Sequence, residues 1–313
     1  MFVWFVDHEA SDVEVAYASE HGGLHGEIKD VLKEVYPFNA KHGNDVWLKV
    51  EGHKYYRQDE EGVEHRVHES VTGVVGQYVE EFDAEKVVEG MLSRSLRAEY
   101  HWASGEEMGG RDIRLKWAAN GHVASARGTL FHAQVEAYLN GQYDPERVGG
   151  RCSPEFMQFM KYVEEVKDRR KWVPLRTEVS IWDPAMDVAG QIDALFQDEE
   201  GLVHMVDWKR SKAIRMEGFG GRTMRSPLEH LADCNWVKYA LQQNLYKYML
   251  EKSSSMSQDG VVKDVRVASM ALCVCHPMQE TYNELQVPVL ADEVSKMVED
   301  RVGRPAKVAK MQA

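Results

Sequence analysis

The stretch VAGQIDALFQDEEGLVHMVDWKRSK, residues 188–212, decides how this chain folds. Two apolar runs of strand length flank DEEG, a turn-forming tetrad ending in glycine, so 188–197 and 202–209 read as the arms of a β-hairpin. Side chains two apart on an extended strand share a face. Asp207 and Lys209 therefore point one way and Trp208 the other. Asp193 lies on the neighbouring strand, where its carboxylate can meet that of Asp207. Two crowded carboxylates beside one ammonium are costly without a counter-ion. An oxygen-preferring Mg²⁺ or Mn²⁺ would resolve that cost. Alone, Asp-x-Lys also reads as a surface ion pair on an ordinary hairpin; the second aspartate, on the preceding strand, weighs against that.

Outward from the hairpin, residues 175–182 form a third expected strand. It carries Glu178 in RTEVSIW, either as part of a metal shell or as an arginine's partner. Upstream, SARGTLFHAQVEAYLNG reads as a helix with Leu130, Val135 and Leu139 as its apolar stripe and Gly141 as its stop. His132 and Glu136 are four apart and share a helix face, so the imidazole can reach a metal and Glu136 can orient the ring. A lone helical histidine is as readily structural. Residues 154–171 make a second amphipathic helix. Downstream, 231–250 is the clearest helix of the chain, with Gln242 and Tyr246 four apart. An amide and a hydroxyl on one face suit a phosphate or a positioned lysine, although a tyrosine there is also a core residue with a wet tip. A strand at 265–275, another at 282–287 and a helix at 292–301 complete this part.

The first 68 residues are acidic, with short strands expected at 45–50, 53–57 and 64–67. Ser70 and Asp83 look like N-caps, the second opening a helix over 84–97. The formal net charge is −13, from 51 acidic and 38 basic side chains. Residues 1–90 hold 20 acidic and 8 basic ones, a net of −12, which leaves 31 and 30 for the rest. The acidic excess is thus confined to the N-terminal third. The stretch 209–238 instead has seven basic residues (Lys209, Arg210, Lys212, Arg215, Arg222, Arg225, Lys238) against three acidic ones. Residues 211–229 are rich in Gly, Arg and Met, a long loop of the kind that is often functional, and a candidate for gripping a nucleic-acid strand.

Of four cysteines, only Cys273 and Cys275 are close, and they read as buried free thiols on one strand face rather than half of a zinc site. No apolar run approaches the ~20 residues of a membrane span. The start, MFVWFVDHEASD, has neither the basic lead nor the apolar length of a secretory signal, so an intracellular protein without membrane contact is expected.

Taken in order, GTLFHAQVE, TEV, GQIDAL, VDWKRSK and QQNLY resemble the RecB-like branch of the PD-(D/E)XK nucleases, over roughly residues 70–300. That branch includes the mitochondrial genome maintenance exonuclease, CRISPR-adaptation nucleases and the nuclease domains of recombination helicases. The resemblance implies an α/β fold with a restriction-endonuclease-like core, a central mixed sheet flanked by helices. It implies a nuclease domain over 69–301, an acidic N-terminal region of unknown role over 1–68, and a basic tail over 302–313. His132, Asp193, Asp207 and the Trp208 carbonyl would ligate the metal, with Lys209 as the catalytic lysine beside Asp207, Asp193 and Glu178. Gln242 and Tyr246 fill the family's Gln-x-x-x-Tyr motif, and with Arg210, Lys212, Arg215, Arg222 and Arg225 they would bind nucleic acid. Several relatives hold an iron–sulfur cluster; Cys152, Cys234, Cys273 and Cys275 do not fit its spacing, and none is expected. The second carboxylate is Asp207 rather than the more frequent Glu.

The expected activity is metal-dependent hydrolysis of DNA at ends or in single strands, in repair or recombination, with the acidic region as a possible docking point for a protein partner. The alternative is a nucleic-acid-binding scaffold that kept the fold without the activity; intact Asp193, Asp207 and Lys209 argue against it. A hydrolase for small phosphate esters ranks third, for want of a phosphate-cradling glycine loop.

Overall fold

The computed structural model describes residues 46–49, 54–59, 61–141, 143, 153–252 and 265–303. Strands β1 (Val46–Lys49), β2 (Lys54–Gln58) and β3 (Glu64–Arg66) form a three-stranded antiparallel sheet. β4 (Glu69–Ser70) runs into helix α1 (Val71–Gly76), followed by α2 (Ala84–Leu92), α3 (Gly110–Leu139) and α4 (Pro154–Arg169). Then come β5 (Val173–Asp183), β6 (Val188–Gln197), β7 (Val203–Arg210), α5 (Asn235–Lys252), β8 (Val267–Cys275), β9 (Asn283–Gln286) and α6 (Ala291–Gly303).

The helix starts follow local chemistry. Ser70 Oγ accepts from the Gly73 amide at 3.0 Å, and Asp83 Oδ1 from the Lys86 amide at 3.0 Å. Ser153 Oγ caps α4 through the Phe156 amide, with Pro154 at the first helical position. Helix α3, at 30 residues, begins well before the segment expected from residue 125. Its first half is held by Ile113, which packs with Val88, Leu96 and Met108 in a small core of its own. The helix runs on through Gly121 and Gly128, residues of low helix propensity.

The large sheet is mixed. β6 runs antiparallel to β5 and β7, β7 parallel to β8, and β8 antiparallel to β9. β5 pairs along the whole of β6, whereas the other edge of β6 is shared: β4 pairs with Val188 and Ala189, and β7 only with Ala194–Gln197. The sheet therefore forks just before Ala194, and β7 continues from Asp207 to Arg210 paired with β8 alone.

Helices cover both faces. On one, α1, α5 and α6 pack Val71, Leu241, Leu245 and Met297 against Val179, Ile192, Met205 and Leu272. On the other, α3 and α4 pack Phe131, Phe159 and Tyr162 against Phe196, Trp208, Cys273 and Cys275. The last two are free, fully buried thiols with their Sγ atoms 3.9 Å apart. Among the described residues no helix is long and apolar enough to cross a membrane.

Contacts cross the boundary expected at residue 68: Val67 and Tyr55 pack with Ala189 and Trp182, and the Arg57 guanidinium lies 4.8 Å from the Trp182 ring centroid. Most of the acidic charge of 1–68, Cys152 and the tail from 304 lie outside the described residues.

Candidate metal centre

At the fork the ladder between β6 and β7 is closed by a side chain instead of a carbonyl: Asp193 Oδ2 accepts from the Trp208 amide at 2.8 Å. This holds the Asp193 carboxylate at the mouth of the fork. Glu178 reaches the same point from β5 by an unusual backbone. Its φ of +47° lies in the left-handed region, between Thr177 paired with Ala194 and Val179 paired with Ile192. For a non-glycine residue this conformation costs about 1–3 kcal/mol and persists only where the surroundings enforce it. From the other side, His132 of α3 places Nδ1 3.8 Å from Glu178 Oε1 and 3.7 Å from Asp193 Oδ2. One ligand atom from each of these three residues lies within 4.8 Å of the others.

The His132 ring is oriented by the backbone. Nε2 meets the Trp208 carbonyl oxygen at 3.1 Å, which leaves Nδ1 facing the carboxylates. The Trp208 carbonyl oxygen, expected as a metal ligand, faces the imidazole, and both ring nitrogens are directed by Trp208, Glu178 and Asp193.

Asp207 and Lys209 share a face, as strand alternation requires, with Lys209 Nζ 2.5 Å from Asp207 Oδ2. Asp207 stands outside the His132–Glu178–Asp193 set and pairs with the ammonium. Lys209 Nζ also lies 4.9 Å from the Tyr239 ring centroid, a cation–π contact. Gln242 and Tyr246 face the same space from α5, Gln242 Nε2 donating to the Tyr246 hydroxyl at 2.9 Å. The approach of α5 is close: a Cβ on Gly190 would lie 2.4 Å from Tyr246 Cε1.

The electrostatics follow from burial and crowding. Burial raises the Asp207 carboxyl to about 6, with Asp193 adding to the rise and Lys209 opposing it. Burial likewise raises Glu178, against the pull of His132 and with a push from Asp193. Burial alone would lower His132, but Asp193 and Glu178 outweigh it and carry the imidazole up to about 9. Lys209 is held above its usual range by Asp207 and Asp193 despite burial, so it stays an ammonium. Three carboxylates thus face two cationic side chains. A divalent cation that displaced the His132 proton would bring the cluster to neutrality, and one imidazole with two carboxylates is a fitting donor set for Mg²⁺ or Mn²⁺.

Of the expected strand-gripping residues, Lys212, Arg215, Arg222 and Arg225 are exposed. Arg210 is not among them. Its Nε donates to Glu155 Oε1 of α4 at 2.7 Å, both side chains 6% exposed. The physical reason is the alternation that paired Asp207 with Lys209, which puts Arg210 on the face of Trp208, beneath α4.

Three residues at the site escaped the sequence reading. Tyr239 is three before Gln242 and seven before Tyr246, a helical spacing that carried the signal. Gly190 has no side chain to announce it. Tyr55 comes from β2; burial, and then the nearby Glu178 and Asp193 carboxylates, push its phenol well above the usual range. Only the tertiary fold brings it there.

Neither a protein-family model nor a curated protein matches this chain. One solved structure, described as "Crystal structure of SSO0001", aligns at 12% identity over 71% of this chain and 85% of its own, with a TM-score of 0.24. That similarity is too low to carry structural or functional weight.

Proposed function

We propose that this chain is a divalent-metal-dependent nuclease with a restriction-endonuclease-like core of the PD-(D/E)XK type, acting on DNA at free ends or in single strands. The observation that supports it is the convergence of His132, Glu178 and Asp193 beside the Asp207–Lys209 pair where the sheet forks. His132, Glu178 and Asp193 would hold the cation, which when bound supplies charge neutralisation at a phosphate and a more acidic water. Lys209 is the chain's own contribution to the developing phosphate charge: a half-buried ammonium that keeps its proton and donates from a fixed position. Asp207 fixes that position, and Tyr239 walls it on the α5 side. The hydrogen-bonded Gln242–Tyr246 pair lines the same wall. The exposed Lys212, Arg215, Arg222 and Arg225 lie on the segment between β7 and α5 and would supply phosphate contacts along the strand.

The test is digestion of single- and double-stranded DNA labelled at either end, and of RNA, with Mg²⁺ or Mn²⁺ and with Lys209→Ala in parallel. Metal-dependent cleavage of DNA, lost in the variant, is expected, and the label pattern gives the polarity. No cleavage of any substrate, together with no Mn²⁺ binding by calorimetry, would reduce the protein to a nucleic-acid-binding scaffold.

A further inference from the structure

Arg176 lies two residues before Glu178 on β5 and is 5% exposed. Its Nε and Nη1 are buried and have no hydrogen-bond partner among the described residues, and it forms no ion pair there. Its surroundings make this stand out. The adjacent Thr177 is satisfied, its Oγ1 accepting from Asn140 at the end of α3. The other arginines tied down against the sheet each have a carboxylate, Arg170 with Glu284 and Arg210 with Glu155. An arginine side chain keeps its charge at neutral pH. A buried cation with no partner among the described residues is a strongly unfavourable arrangement that their folding alone does not require. A planar fork of donors matches an oxyanion bearing two oxygens.

We propose that Arg176 is the receptor for a phosphoryl group, and that this group belongs to the nucleic-acid strand whose neighbouring phosphate meets the His132–Glu178–Asp193 cluster. The identity of the strand rests on the function proposed above; the oxyanion site does not. The geometry is local. Two residues of strand separate Cα atoms by about 6–7 Å. Between them the left-handed turn at Glu178 redirects its carboxylate to His132. One short segment of β5 thus presents a cation for an existing charge on the substrate and an acid for the metal. The arrangement selects a polyanion over a single phosphate ester, since a small ester would fill only one of the two positions.

The test separates binding from cleavage by working on the full chain in EDTA. A short single-stranded oligonucleotide is titrated by fluorescence anisotropy over a range of salt concentrations, and inorganic phosphate by thermal shift. Arg176→Met is expected to weaken oligonucleotide binding about five- to tenfold and to lower the salt slope by a little under one unit, the share of one phosphate contact. Arg176→Lys is expected to keep the slope and lose part of the affinity, because the charge remains and the fork does not. Unchanged affinity and slope in a folded Met variant would overturn the site. If that variant does not fold, a Lys variant that binds as the wild type does overturns it equally. Phosphate stabilising the wild type but not the variants, with oligonucleotide binding unaltered, would overturn the assignment to a strand in favour of free phosphate. Failure of the nuclease function is read separately: Arg176-dependent binding without cleavage removes the activity and keeps the site, and cleavage without it does the reverse.

Discussion

The two ends of the β6–β7 hairpin each hold a histidine among acids, and they are built to opposite purposes. At the turn, His204 Nε2 meets Asp198 Oδ2 at 2.9 Å and Nδ1 meets Ser269 Oγ at 2.8 Å, while the Trp172 ring stacks over the imidazole with centroids 3.8 Å apart. Every polar atom of that ring is spent. At the fork, His132 faces two carboxylates at 3.7 and 3.8 Å, too far for good hydrogen bonds, and a third acid lies beyond them. One cluster is closed and holds the hairpin together. The other is crowded and acid-rich. The same residue types signal structure or chemistry according to whether their hydrogen-bonding capacity is used up.

The contrast can be broken at several points. The largest effect is expected from Lys209→Ala, which should cut the cleavage rate by roughly 10²–10³-fold, the cost of losing one preorganised donor to a developing charge. His204→Ala should leave that rate within about twofold, as single-turnover assays of both variants would establish.

Metal affinity comes next. Glu178→Gln and Asp193→Asn should each weaken Mn²⁺ binding by at least about 10–100-fold by calorimetry, whereas Asp198→Asn should not alter it. In metal-free protein the order reverses. Glu178→Gln relieves crowding and should raise stability by about 0.5–2 kcal/mol, while Asp198→Asn removes a satisfied partner and should lower the melting temperature. A Glu178→Gln variant that melted lower than the wild type would erase the distinction between the two ends.

Acidity sharpens the comparison. A cation held there would need an unprotonated His132, which Asp193 and Glu178 raise to about 9, so Mn²⁺ affinity should rise with pH, by up to about tenfold per unit, below that point. Without metal the sign is opposite. The raised folded-state value makes the protonated imidazole stabilising; its contribution is complete below the ordinary histidine value of about 6.5 and is lost as pH rises through about 9. Proton release on Mn²⁺ binding, measured in buffers of different ionisation enthalpy, checks the first statement, and thermal melts between pH 6 and 10 check the second.

The smallest effect belongs to the loop. Replacing Arg215, Arg222 and Arg225 together by Ala should lower the salt slope of DNA binding by about 2–3 units without touching Mn²⁺ affinity.

Much of the closed architecture was legible in the chain. The hairpin arms, the Ser70 and Asp83 caps and the Asp207–Lys209 face all follow from periods of two or 3.6 residues and from cap chemistry, which act over a few neighbours. What was hidden depends on departures from those periods or on distant packing. The left-handed Glu178 interrupts an otherwise regular strand, and no pattern in RTEVSIW announces it. The first half of α3 packs Ile113 with Val88 and Leu96, partners that no local period identifies. Tyr55 enters through a sheet whose acidic composition suggested a separate region. Arg210 is the instructive case, because the alternation that identified Lys209 also placed Arg210 on the opposite face, and a count of basic residues overrode it.

The close approach of Gly190 to Tyr246 gives the site a genetic signature as well as a chemical one. A methyl group at position 190 has only 2.4 Å to the tyrosine ring and 3.1 Å to Val71. Any replacement must therefore push the Tyr246 ring from its place and disturb its contact with Gln242. In a saturation scan, position 190 should fail as broadly as the charged residues do, although it contributes no atom to the chemistry. Compensating second-site changes should map to the ring of Tyr246, where a smaller side chain restores the room.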